Sequence, residues 1–222
     1  MAVIEGGVSA TLAGVGEQAS KGLHVRAAPL DYGSLGHYAY GASTGIIAAA
    51  LGANSEIFQF RWTHSTNLAV IRRVRFNAIV STTFFSAGVP VEIDLVKATA
   101  WTVAGTLGTA PTIGAMLKRR TSMSSTLVAA GDLRIATTTA LGAGTKTLET
   151  EKLSVLLAPG PTAAPGLIFA SGTVLLSAEV GDADHPLVLA QNEGFVIRSV
   201  AVPATGTWRA AIGVDWAEVT AY

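Results

Sequence analysis

The chain has 222 residues, no net formal charge, no cysteine, and only 14% charged residues, against about 25% in an ordinary soluble domain. The missing thiols exclude cysteine nucleophiles, disulfide frameworks and cysteine-ligated zinc. Half of the residues are hydrophobic and 24 more are glycine, which implies a weakly charged surface of the kind that other subunits cover, although Ala/Gly-rich coding from a high-GC genome gives similar totals.

Residues 1–28 are rich in Gly, Ala, Ser and Val, with an acid at Glu5 and no basic region before an apolar run. They read as an extended N-terminal arm rather than a signal peptide. His37–Tyr40 is a possible strand, and TGIIAAALG (44–52) is the one helix candidate. In 56–62 Phe58, Phe60 and Trp62 alternate with Gln59 and Arg61, the period of a half-buried strand. In 68–80 the even positions are Val70, Arg72, Val74, Phe76, Ala78 and Val80, and the odd ones include Arg73, Arg75 and Asn77. In 89–97 Val91, Ile93 and Leu95 alternate with Glu92 and Asp94. Pairing these two segments as a hairpin buries both apolar faces and sets Arg73 and Arg75 beside Glu92 and Asp94. The arginines then read as parts of a balanced sheet, not as a nucleic-acid grip. Arg72 falls on the apolar face and is left to reach solvent or a partner.

Residues 98–130 read as a long excursion between strands, the kind of loop that carries function. Trp101 within it is a candidate partner contact, because large aromatics favour interface cores. Lys118, Arg119 and Arg120 precede a Ser/Thr run and could meet phosphate or an acidic surface, or form a solvated loop. The uncharged runs 98–117 and 153–178 are interrupted by Thr, Gly and Pro, so neither is expected to span a bilayer. Further strands are expected at 132–138, 153–158, 167–179, 187–190, 194–202 and 207–219. The last two, around PATG (203–206), form an amphipathic hairpin when Phe195 meets Trp216, Ile197 meets Val214 and Ala201 meets Ala210. Arg198, Arg209 and Asp215 then share the opposite face.

Chemical motifs are thin. GASTG (41–45) matches the G-x-S-x-G nucleophile elbow, with Ser43 as nucleophile and His64 and His185 as later histidines, but the elbow needs an α/β sheet. GAGTKT (142–147) lacks the glycine before Lys146 that a phosphate loop requires, and reads as a turn entering a strand. Asp182, Asp184 and His185 lie in a polar loop with no continuing calcium pattern, and no H-x-x-x-H spacing supports zinc. No catalytic residue, cofactor or metal is expected. Many strands with turn-rich links predict an all-β protein. The expected fold is an antiparallel β-sandwich or jelly roll with long loops and at most one or two short helices. It forms a single domain over 29–222.

EIFQFRWT (56–63), LAVIRRV (68–74), LRIATTTALGAGTKTL (133–148) and EGFVIRSVAVPATGTWRAAIGVDWAEV (193–219) resemble a group of tailed-bacteriophage virion structural proteins, from about Pro29 to the end. The resemblance rests on strand and turn phrases and carries over no functional residue. It implies a β-sandwich and, first, a non-enzymatic capsid decoration or cement protein. Such a protein binds the outer face of the major capsid protein lattice and stabilises it, as a homotrimer at threefold or quasi-threefold positions. It implies the virion as location, after assembly in the host cytoplasm; from the balanced arginines and the interrupted uncharged runs, no specific nucleic acid and no membrane are expected as partners. A tail, baseplate or fibre-associated protein is the alternative within that group. A carbohydrate-binding sandwich using exposed tryptophans, or a serine hydrolase using Ser43, lies outside it.

Overall fold

The structure is a computed structural model, and it describes residues 4–6, 11–13, 35–48, 51–83, 85, 90–111, 125–127, 132–178, 186–201 and 205–222. The chain divides into two compact units, Met1–Leu30 and Asp31–Tyr222. In the first, β1 (Ile4–Gly6) and β2 (Thr11–Ala13) pair antiparallel. The arm expected over 1–28 therefore contains a short hairpin.

The second unit is all strand and loop among the described residues. Its strands are β3 (His37–Ser43), β4 (Ile47–Ala48), β5 (Ser55–Trp62), β6 (Leu68–Val80), β7 (Pro90–Val103) and β8 (Leu133–Ile135). They continue with β9 (Thr145–Pro159), β10 (Gly166–Ser177), β11 (Leu187–Leu189), β12 (Glu193–Ala201) and β13 (Thr207–Val219). A six-stranded sheet runs β10-β6-β13-β3, with β11 also on β6 and β4 also on β13. A five-stranded sheet runs β8-β5-β12-β7-β9. All pairings are antiparallel.

Among the described residues, eight strands are longer than three residues: β3, β5, β6, β7, β9, β10, β12 and β13. Ranked along the chain, they lie 6-3-8-1 in one sheet and 2-7-4-5 in the other. That is the strand order of a jelly roll, in which two Greek keys wrap the chain between two packed sheets. Only the β7-to-β9 connection joins neighbours within one sheet, and it carries the long excursion. The excursion begins later than 98, because β7 stays extended through Val103.

Alternation places the core. Phe58, Phe60 and Trp62 of β5, Val91, Ile93 and Leu95 of β7, and Phe195 and Ile197 of β12 all face inward from the five-stranded sheet. Val74, Phe76, Ala78 and Val80 of β6 and Trp208, Ala210, Ile212, Val214 and Trp216 of β13 face them. Aromatic rings bridge the layers: Phe60 meets Trp216 edge-on at 5.4 Å and Tyr40 stacks on Phe58 at 6.4 Å. Such pairs add about 0.5–1.5 kcal/mol beyond the area they bury.

Three expectations are corrected. The 44–52 segment holds no helix among its described residues; Ile47 and Ala48 instead pair with Trp208 and Thr207 of β13. The β-branched Ile46 and Ile47 suit that edge pairing. Strands β6 and β7 are not a hairpin but lie in opposite sheets, and so do β12 and β13. Their apolar faces are buried together, as the alternation requires, but across the sandwich rather than side by side.

Candidate functional site

The arginines of residues 58–76 separate into distinct environments. Arg61 is buried on the outer side of the five-stranded sheet, where its guanidinium meets Asp132 at 2.6 Å and donates to the Thr102 carbonyl. Asp132 also accepts from the Thr63 hydroxyl at 2.6 Å. Close by, Glu56 accepts from Gln59 Nε2 at 2.5 Å and from Lys146 at 2.9 Å. The Lys146 ammonium sits 4.4 Å from the centre of the Trp101 ring. The alternation sets Gln59 and Arg61 on the face away from the core, yet Gln59 is fully buried and Glu56 nearly so. The excursion covers it: Leu141 N bonds to the Glu56 carbonyl, and Thr106 and Gly142 exchange backbone bonds.

Trp101, which lies in β7 rather than in the excursion, packs beside this layer under Lys146. It is 1% exposed, packs with Val96, Ala98 and Val196, and donates its indole N–H to the Val103 carbonyl. Its burial is satisfied within the chain. Lys118, Arg119 and Arg120 lie outside the described residues. Arg72 is half-buried at an irregularity of β6, where Arg73 pairs with Asp215 and Ile71 with Trp216. The extra residue reverses the facing of the strand, so Ala69 and Ile71 join the main core while Val70 packs outside with Ala217 and Val219. Strict alternation had put Arg72 on the apolar face; the bulge removes it from there.

Arg73 and Arg75 reach Asp215 of β13, each at 3.5 Å. The acids expected to balance them, Glu92 and Asp94, are held in the other sheet by Lys152, at 2.9 Å from each, and Arg198 also meets Asp94 at 3.3 Å. Paired with carboxylates, the Lys152 ammonium titrates above its usual value, through its bond to Glu92 first and Asp94 second.

Ser43 ends β3, and loop plus the two-residue β4 follow it, not the helix of a nucleophile elbow. Its hydroxyl accepts from Arg209 Nη2 at 3.4 Å, and His64 accepts from the amides of Thr66 and Asn67 in its own turn. Gly142 and Ala143 lead into β9, as expected for a turn entering a strand. The Asp182, Asp184 and His185 loop lies outside the described residues. All four tryptophans are buried, so glycan binding through exposed tryptophans has no residue to act with.

Two surfaces remain as candidates. One is aliphatic: Leu153, Val155 and Leu157 are exposed on β9, the edge strand of the five-stranded sheet, while on β6 and β10 of the other sheet Val174 is exposed, as are Ile79 and Leu167, which also line the second surface. Leu157 and Leu167 keep 66% and 62% of their surface open. The other is a trough on the outer face of the six-stranded sheet, formed by two open recesses of about 230 and 300 Å³ that share Asn77, Ser171 and Ala211. Sequence reasoning missed the trough, because its floor is glycine and alanine and its strands come from distant parts of the chain. No family model, no curated protein and no solved structure matches the chain.

Proposed function

We propose that the chain is a structural component of a bacteriophage particle, and within it a decoration or cement protein of the capsid's outer surface. The observation that carries this reading is the set of exposed aliphatic side chains on β9 and β10, the edge strands of the two sheets, in a chain with so few charges. Exposed Leu and Val on a sheet edge invite contact with another chain, and soluble monomers usually protect such edges. Jelly-roll sandwiches build viral shells among other things, which agrees with the reading at the level of fold analogy.

The mechanism is passive. A protein that binds the assembled shell and not its dissociated parts stabilises the shell by mass action. The chain supplies apolar contact and needs no moving part or chemical step. Its partners are the major capsid protein and other copies of itself, with a trimer favoured by lattice symmetry.

The test uses particles stripped of this chain. Adding it back is expected to give saturable binding and a higher temperature of shell disruption. Leu157→Lys and Leu167→Lys together are expected to weaken binding without lowering the melting temperature of the free protein, since both side chains are exposed. Binding with no gain in shell stability, or none at all, contradicts the cement reading.

A further inference from the structure

The trough on the six-stranded sheet is held open by its sequence. Gly41 of β3 pairs with Gly213 of β13 at its floor. A Cβ built on Gly41 meets nothing within 4 Å, so no packing within the chain requires glycine there. Glycine inside a strand weakens it, and strands favour β-branched residues. The missing side chain leaves free volume directly over the sheet. At Gly213 the absent Cβ lets the Arg75 guanidinium lie across β13, 3.3 Å from where that carbon would stand.

The lining has one charge sign. Arg75 borders one recess and Arg209 the other, and no acidic side chain lines either among the described residues. Counting the nearby ion pairs, Arg73, Arg75 and Arg209 stand against Asp215 on this face, an excess of two positive charges. Arg75 is opposite Gly213 and Arg209 opposite Ile79, four positions apart along β13. At about 3.3 Å per residue, their backbones are separated by about 13 Å. Between them stand Asn77, Ser171 and Ser43, an amide and two hydroxyls. Leu167 and Ile79 form an apolar lip at the Arg209 end.

We infer that this trough binds an acidic oligosaccharide, with acidic groups meeting Arg75 and Arg209 and sugar hydroxyls meeting Asn77, Ser171 and Ser43. Guanidinium suits carboxylate and sulfate through paired hydrogen bonds. An acidic peptide fits less well. The floor strands β13 and β6 are paired on both sides, so an extended backbone over them would find no ladder partner. Sugars need only the side-chain donors and acceptors present. The inference concerns the isolated chain and does not depend on the virion reading; on a particle it would add attachment to an acidic surface polysaccharide.

The test is calorimetric titration of the full chain with hexagalacturonate, a sialic-acid tetramer and a heparin hexasaccharide, with maltohexaose and hexaglutamate as controls. At least one acidic oligosaccharide is expected to bind, more weakly at high salt, while both controls fail. Gly41→Val is expected to abolish binding and to keep or raise the melting temperature, because its side chain fills the trough without meeting the fold. Arg209→Gln, at an exposed position, is expected to weaken binding by about tenfold or more; it keeps the test valid if Gly41→Val does not fold. Failure of all three acidic probes, retention of binding in Gly41→Val with the fold intact, or equal binding of maltohexaose overturns the inference. Equal binding of hexaglutamate makes the trough a peptide site and also overturns it.

Discussion

Glu218 shows how one buried charge ties the sandwich to its excursion. It has no exposed surface, yet its carboxylate accepts from Ser125 Oγ at 2.5 Å, from Thr126 N at 2.9 Å, from Thr126 Oγ at 2.7 Å and from Trp216 Nε1 at 3.2 Å. Removing it strands several buried donors, so Glu218→Ala is expected to cost about 2–4 kcal/mol in urea unfolding. A loss under about 1 kcal/mol would mean that water replaces the carboxylate. The same group acts on Tyr38, whose phenol is pushed up to about 12, first by burial and then by the Glu218 charge. Burial also raises Tyr40. A folded value above the unfolded one means the native phenol keeps a proton that the unfolded chain loses. That contribution is complete below pH 10 and is lost as pH rises toward 12. Lys152, also raised, loses its ion-pair contribution in the same direction. Unfolding free energy should therefore fall across the alkaline range, and Tyr38→Phe should flatten part of that fall. An unchanged slope in the variant would remove Tyr38 from the account.

At the scale of the element, the faces of strands were legible and their neighbours were not. The alternation in β6 and β13 placed Val74, Phe76, Val214 and Trp216 inward correctly. A period of two cannot tell whether two apolar faces share one sheet or oppose each other across a core. The shortest connection favours a hairpin, and the jelly roll crosses to the other sheet instead. For that reason Arg73 and Arg75 found Asp215, which lies some 140 positions further along the chain, rather than Glu92 and Asp94. The bulge at Arg72 was invisible for a related reason: an extra residue shows only against the partner strand. Strand β12 carries a comparable constraint. A Cβ at Gly194 would collide with the Phe60 carbonyl oxygen and stand 2.9 Å from the Trp101 ring. Gly194→Ala is expected to lower stability by about 1–3 kcal/mol or more, as overpacking does, and to raise tryptophan exposure in quenching measurements. Unchanged stability and quenching would show that the Phe60 backbone and the Trp101 ring both give way freely.

For the whole molecule, composition and spacing were enough for the all-β class and the sandwich, since they report how much apolar surface must be buried and at what period. They were not enough for the surfaces. The polar layer of Glu56, Gln59 and Arg61 reads as solvent-facing until the excursion is seen to cover it, and the trough exists only once β3, β13, β6 and β10 lie side by side. The exposed aliphatic residues of β9 are in the same position: LSVLLAP reads as a buried strand, and its place at a sheet edge leaves Val155 and Leu157 open. Those residues are where the proposal of a capsid-bound role stands or falls. Its most direct test is quantitative mass spectrometry of purified phage particles, giving copies of this chain per copy of the major capsid protein. A decoration protein is expected at a simple lattice ratio, one to one or a small fraction with hundreds of copies per particle. A few copies would move the chain to the tail or a vertex, and its absence from the particle would contradict the virion role itself.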